Sequence, residues 1–306
     1  MLLQNGLAAA TATAPCIIKA DSLTVAPLDD SHADEVLAFL DERPAHTFMM
    51  GGLIRDNGPQ STLNRGTFYT CRDSAGKLEG VTLIGEITML EARSEAALAA
   101  FARRTQSAPD LYMIIGEQGQ VGGFWHHYAE AGQAMRLFCR ELLFELRCPV
   151  EVHDPVPGLR PAAPDDLEQL IVVHAEMALD ESGVNPLDVD PQGFRRRCAR
   201  RVEQGRSWVY AEGGRLIFKA DVISETPEVI YLEGVYVSPE ERGRGYGVRC
   251  LSQLSRHLLA RTRSVCVLVN EQNGAAQALY RKARYKLGGV YDTVFLQQTR
   301  EANAVC

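Results

Sequence analysis

An apolar run, Val229 to Val237, passes directly into Ser238-Pro239-Glu240-Glu241-Arg242-Gly243-Arg244-Gly245-Tyr246-Gly247 and then into a segment with Val248, Leu251, Leu254 and Leu258 at helical spacing. No other stretch constrains the fold of this chain as tightly. The first part predicts a buried strand and the last an amphipathic helix. The glycines between them make a turn that side chains do not obstruct. A glycine-rich turn opening a helix exposes several backbone N–H groups at the positive end of the helix dipole, an arrangement suited to a pyrophosphate. Gly245 and Gly247 leave room for phosphates to approach the backbone, and Arg242 and Arg244 add positive charge beside them.

The rest of the chain repeats one pattern. Leu23 to Pro27 is followed by Asp29, Asp30 and Ser31 and then an amphipathic run with Val36, Leu37 and Leu40 that Pro44 ends; Leu159-Arg160-Pro161 is followed by Asp165, Asp166 and a helical run with Leu167, Leu170, Ile171 and His174. Each half then predicts a hairpin: Thr67 to Cys71 with Val81 to Ile87 across Asp73-Ser74-Ala75-Gly76, and Trp208 to Ala211 with Leu216 to Val222 across Gly213-Gly214. Pro155-Val156-Pro157-Gly158 marks the boundary between the halves. We therefore expect an N-terminal tail over 1–20, one lobe over 21–154 and a second over 155–306, each an α/β lobe with a mixed central sheet flanked by helices. The halves diverge after the hairpin. In the first, the strand around Val81 to Leu90 runs straight to Glu91-Ala92-Arg93-Ser94-Glu95 and an Ala-rich helix through Phe101, with no glycine turn. Gly116, Gly119, Gly122 and Gly123 follow a different strand without basic residues and read as a structural turn or a contact between the lobes, rather than a phosphate site.

Composition removes several classes of function. The 306 residues carry 32 Lys and Arg against 39 Asp and Glu, a net charge of -7, which argues against a nucleic-acid partner or an anionic lipid surface. Even the most apolar stretches, such as Leu167 to Ala178, are broken by charges, so no membrane span is expected. The N-terminus to Ala14 lacks the basic start of a signal peptide. The 8 cysteines (Cys16, Cys71, Cys139, Cys148, Cys198, Cys250, Cys266 and Cys306) form no CxxC pair and read as reduced thiols of a cytoplasmic protein. His126 and His127 lack further ligands at metal spacing, so no metal is expected.

After one more strand, Ser264 to Val269, comes Asn273-Gly274-Ala275-Ala276-Gln277-Ala278-Leu279-Tyr280-Arg281-Lys282. With this second motif the sequence resembles the GNAT superfamily of N-acetyltransferases. Val235-Tyr236-Val237-Ser238-Pro239 with Arg242, Gly245 and Gly247 matches the family's V-x-V-x-P strand and R/Q-x-x-G-x-G/A loop; Asn273, Ala276, Leu279, Tyr280 and Lys282 match its N-x-x-A-x-x-L-Y-x-K signature. Arg284 stands where that signature has glycine, and Tyr285 where it has phenylalanine. The resemblance covers roughly residues 157–297. The first half is similar to the degenerate N-terminal lobes of tandem GNAT proteins.

The resemblance implies acetyl-CoA as co-substrate, held by Val235, Tyr236, Val237, Arg242, Gly243, Arg244, Gly245, Tyr246, Gly247, Asn273 and Tyr280. It implies a backbone N–H close to Val237 for the oxyanion and Tyr280 as the acid for the departing thiolate. Glu233 is the candidate base from the residues themselves, because it alternates with Tyr231, Val235 and Val237 on the strand that carries the cofactor. An ammonium of pKa about 10.4 is deprotonated in only about one molecule in 2,500 at pH 7, a cost near 4.6 kcal/mol, so a carboxylate in a water-poor cleft has work to do. The segment Asp180 to Asp190, which lines the acceptor cleft in this superfamily, is acidic, and Arg195, Arg196, Arg197, Arg200 and Arg201 on the next helix read as solvent-facing or paired with those acids. The expected function is acetyl transfer to a primary amine of a small molecule or amino acid. The alternatives are a protein or peptide acceptor, and a silent acyl-CoA sensor. A homodimer is compatible with the reading.

Overall fold

The computed structural model describes residues 23–108, 111–152 and 154–297; the expected 1–20 tail, Cys16 and Cys306 lie outside them. In the first half the order is β1 (Thr24–Pro27), α1 (Ala33–Asp41), α2 (Pro44–Asn57), β2 (Gly66–Arg72), β3 (Leu78–Gly85), β4 (Ile87–Ala92), α3 (Glu95–Thr105), β5 (Met113–Glu117), α4 (Gln118–Tyr128) and β6 (Met135–Leu146). The second half runs β7 (Arg160–Pro161), α5 (Leu167–Ser182), α6 (Pro186–Val189), α7 (Pro191–Glu203), β8 (Ser207–Glu212), β9 (Arg215–Glu225), β10 (Val229–Val237), α8 (Tyr246–Leu258), β11 (Ser264–Asn270), α9 (Gly274–Lys282) and β12 (Lys286–Leu296). Apart from the short α6, the two orders are the same.

The strands form one mixed sheet in the order β1-β2-β3-β4-β5-β12-β6-β11-β10-β9-β8-β7. The two lobes are fused along their edges, and their last strands are exchanged. β12 pairs with β5 of the first half, Ile115 opposite Thr293, while β6 pairs with β11 of the second half, Phe144 opposite Val267. The connection at Pro155 to Gly158 is tied down on α8, where the Gln253 side chain accepts from Val156 N (2.7 Å) and donates to Val156 O (3.1 Å).

Amphipathic helices cover both faces. Cys250, Leu251, Leu254 and Leu258 of α8 pack on Ile230, Leu232, Val265 and Val267. Phe48, Met50 and Ile54 of α2 pack on Tyr231 and Cys266 of the second half as well as on Phe68 and Leu83 of the first. Burying each such side chain contributes about 1.5–3 kcal/mol, so the core shared by the halves is a major part of what joins them.

Two local expectations are corrected. The single strand expected over Val81 to Ile87, and on to Leu90, is two strands, β3 and β4, reversed about Glu86 where Gly85 crosses Gly66; a Cβ on Gly85 would stand 2.1 Å from Arg65 O, so only glycine permits the approach. The glycines after β5 open helix α4 and form no turn. The αL position Arg284 (φ +69°) adopts is the backbone conformation that glycine favours.

Candidate active site

β10 is paired in parallel with β11 only from Val229 to Leu232, whose partners are Ser264 to Val267. Beyond Leu232 the strands part. β10 continues to Val237 along β9, and β11 continues to Asn270 along β6, leaving a gap between them. The cause lies in β10 itself. Glu233 faces Asp221 and Tyr236 faces Lys219, so two residues, Gly234 and Val235, oppose one residue of β9, forming a bulge that bends the strand. Gly234 has φ +61°, and a Cβ there would come within 2.6 Å of Lys219 Nζ, so glycine is required on both counts. Ser238 N–H donates to Ile217 O across β9 (2.9 Å); by the alternation of a strand, Val237 N–H points the other way, into the gap.

At the mouth of the gap lies the glycine turn. Gly243 (φ +79°) and Gly245 (φ +86°) are left-handed, and Gly245 precedes α8 without a side-chain cap, so the first N–H groups of the helix take no bond from a capping side chain. Gly247 serves packing: a Cβ there would sit 3.1 Å from both Leu279 Cδ1 and Val237 Cγ2. Arg242 is exposed and donates from Nε to Val237 O (3.2 Å). Arg244 is bonded to Glu241 (2.5 Å), which also takes Arg215 (2.7 Å), so its charge is already matched. The Tyr246 ring stacks near Tyr210 (5.6 Å between centroids) under the Arg249 guanidinium. Asn273 caps α9, its side chain accepting from Ala276 N at 3.0 Å. Tyr280 is buried on α9 in the cluster that includes Val235 and Val237, its ring 5.9 Å from Phe144. Its hydroxyl has no hydrogen-bond partner among the described residues, and burial raises its pKa.

Glu233 lies on the floor of the opening, reached by water yet deep among protein atoms, and no side chain among the described residues bonds to it. Desolvation raises its carboxyl above the ordinary range; Arg201 and Lys219 oppose that shift and Asp221 adds to it. Two further carboxylates, not near it in sequence, interact with it: Glu141 from β6, bonded to Thr293 Oγ1 (2.6 Å), and Glu181 from the end of α5. Burial and the other two carboxylates push Glu181 up to about 7.

Beneath Glu233 is a buried polar network. Asp221 takes Lys219 Nζ (2.7 Å) and Ser207 Oγ (2.6 Å), with His174 Nε2 at 2.9 Å; Arg201 Nη2 approaches His174 Nδ1 (3.2 Å). Its surrounding positive charges hold the Asp221 carboxyl well below the usual range against a large desolvation cost, and burial lowers His174. Removing one partner of such a pair costs far more than the pair contributes. The signal for it was legible: Lys219 and Asp221 are charged residues at alternate positions of the otherwise apolar stretch Leu216 to Val222. The expectation that the α7 arginines are solvent-facing or paired with the acidic segment holds for Arg195 and Arg196, both exposed, and for Arg197, bound to Asp190, whereas Arg200 turns to Asn57 and Arg201 turns inward.

On the side of the sheet that Glu233 faces, the first half contributes α2. Phe48 packs on Tyr231 (4.7 Å between centroids), and Ser224 Oγ donates to Phe48 O (2.6 Å). Among the described residues there is no group of side chains disposed to hold a metal and no helix long and apolar enough to cross a membrane.

Residues 175–284, which include β10, the glycine turn, α8, β11 and α9, match the acetyltransferase (GNAT) family; the second half of this chain carries a GNAT acetyltransferase domain, and the protein is an acyltransferase. Solved structures extend the likeness of fold across both halves. An X-ray structure of a Drosophila protein is similar over 90% of this chain and 98% of its own, with a TM-score of 0.66 at 17% identity. A tandem GNAT protein from the clavulanic acid biosynthesis pathway is similar over 89% and 98%, with a TM-score of 0.54 at 16% identity. An acetyltransferase of the GNAT family from Colwellia psychrerythraea is similar over 90% and 100%, with a TM-score of 0.54 at 11% identity. No curated protein matches the sequence.

Proposed function

We propose that the protein transfers the acetyl group of acetyl-CoA to a primary amine of a small molecule or amino acid, by direct attack on the thioester. The observation that carries this reading is the gap between β10 and β11, with Glu233 at its floor and the uncapped start of α8 at its mouth. The residues present suit the co-substrate. N–H groups from Gly245 onward are oriented for a pyrophosphate, nothing crowds Gly243, and Arg242 adds charge. Val235, Tyr236 and Val237 offer a strand edge to the pantetheine arm, with Asn273 and Tyr246 nearby in the same motifs.

Bound acetyl-CoA supplies the acetyl group as an activated thioester. Glu233 takes the proton that the attacking ammonium loses, directly or through water. Val237 N–H is a donor available to the carbonyl oxygen. Tyr280 holds the proton that the leaving sulfur takes. One C–N bond forms as one C–S bond breaks; nitrogen, entering as an ammonium, loses two protons, one to Glu233 and on to water and a second that replaces the one Tyr280 gives to sulfur, so the balance closes with free coenzyme A and one proton released.

The acceptor side favours a small molecule over a folded protein because α2 of the first half lies on β9 and β10 there. The testing experiment is mass-detected release of free coenzyme A from acetyl-CoA across pools of amines, polyamines, amino acids, aminoglycosides and peptides. Release with a small-molecule pool supports the reading, and release with peptides alone turns it to a protein acceptor. Release with none, while acetyl-CoA still raises the melting temperature, turns it to a silent sensor.

A further inference from the structure

A second, oppositely charged recess shares Arg201 with the network under Glu233. Glu233 and Asp221 are cross-strand partners and so share a face of the sheet; further along β9, Val222 and Ile223 line a small cleft with Arg197, Arg200, Arg201, Gln204 and Arg206. The cleft lies where the end of α7 meets β9 and the end of α2. Its charges are only half matched. Arg206 is held by Asp56 through two bonds (2.5 and 2.9 Å), and Arg197 reaches Asp190 (3.2 Å). Arg200 meets only the neutral amide of Asn57 (3.0 Å). Arg201 meets only the His174 ring and the Cys198 sulfur (3.6 Å), and its buried Nε has no partner. Neither guanidinium has a carboxylate in hydrogen-bond contact among the described residues, and the buried Nε of Arg201 is a donor that an anion in the cleft would satisfy.

Glu233 therefore has carboxylates, Glu141 and Glu181, and a guanidinium, Arg201, among its charged neighbours, Arg201 favouring its charged form. Resting on the amine-acetylation reading above, we propose that the acceptor is an amino acid or another small amine bearing a carboxylate. Its ammonium lies among Glu233, Glu141 and Glu181, and its carboxylate is received by Arg200 and Arg201 in the α7 cleft. A guanidinium pair matches a carboxylate in charge and in planar geometry. The bipolar site also fixes which end of the acceptor reaches the thioester.

The test compares coenzyme A release with a pool of free amino acids and with a pool of their amides, which keep the amine and lose the negative charge. The expected result is release with the acids and little with the amides. Arg200→Gln, which keeps a donor to Asn57, should raise KM for the acids about 10- to 100-fold, the range for loss of a charged hydrogen bond, with kcat within about twofold. Equal release with both pools, or an unchanged KM in Arg200→Gln, overturns the carboxylate site and leaves acetyl transfer standing. Release with neither pool overturns the carboxylate site; acetyl transfer falls with it when the amines, polyamines, aminoglycosides and peptides also give none while acetyl-CoA still raises the melting temperature. A readout without turnover uses sulfate as the probe, on protein saturated with coenzyme A so that the glycine turn is filled. Sulfate should raise the melting temperature above that in chloride of equal ionic strength, and the gain should vanish in Arg200→Gln or, if that variant does not fold, in Arg200→Met, which keeps the length of the apolar stem. No gain in the parent protein, or an equal gain in the variant, overturns the anion site.

Discussion

The two halves pose the same problem at the same place and solve it differently. β4 and β5 are paired in parallel from Ile87 to Met89 and then separate, as β10 and β11 do after Leu232. In the first half the gap is filled from within. The Gln120 side chain donates to Ala92 O and accepts from Ala92 N, both at 3.0 Å, taking the place of a neighbouring strand. Ser94 caps α3 through Ala97 N (3.3 Å), and Glu91, only 1% exposed, is gripped by Arg43 (2.9 Å) and Arg93 (3.3 Å). In the second half, among the described residues, no side chain plugs the gap, none caps α8 and none bonds to Glu233. One fold yields a closed structural lobe or an open site according to whether its own side chains satisfy the backbone. Binding capacity here consists of bonds the chain leaves unmade.

That contrast can be broken from either side. The largest effect is expected from Glu233→Gln, which gives the open site a neutral floor: turnover should fall about 10²- to 10⁴-fold with the Kd for acetyl-CoA little changed, as measured by single-turnover kinetics and titration. Because the Glu233 carboxyl is raised and the charged form is the base, kcat/KM should decline as pH falls through a value above the usual glutamate range. That limb should disappear in the variant. Next, Tyr280→Phe should cost about 10²-fold in turnover, since a thiolate is already a tolerable leaving group. Its melting temperature should stay close to that of the parent, because the lost hydroxyl bonds to none of the described residues.

On the closed side, Gln120→Ala should leave acetyl-CoA affinity unchanged and lower stability by about 1–3 kcal/mol in urea titrations, since it strands both backbone groups of the buried Ala92. The smallest effect is expected from Ser94→Ala, about 1 kcal/mol for loss of a cap, with no change in turnover. A loss of acetyl-CoA affinity in either first-half variant would break the division between a structural and a binding lobe.

Local chemistry made much of the second half legible. Val229 to Val237 shows as a strand because apolar residues fill it, and the turn after it shows because glycines and arginines have few other reasons to cluster. The β8–β9 hairpin shows through Gly213 and Gly214, both at positive φ. What the sequence hid is set by partners far along the chain. Nothing local says that Glu141, on a strand of the first half, would face Glu233, or that Arg201 would turn inward while Arg197 stays outside. The glycines of α4 misled because glycine is more common in turns than in helices, whereas there Gly123 accommodates Leu98, 2.7 Å from where its Cβ would be. The Gln120 plug carries no signature, since one glutamine among polar residues has no periodicity to betray it.

The exchanged last strands also govern the order in which the molecule can be made. As the chain leaves the ribosome, β5 emerges long before β12, the strand that Ile115 must meet at Thr293. The first half cannot close its sheet while it is being synthesised; an edge of Met113 to Glu117 stays bare until almost the whole second half has followed. β6, by contrast, is waiting when β11 arrives. The second half is thus assembled on a strand already in place, and the sheet of the first half is the last to be completed.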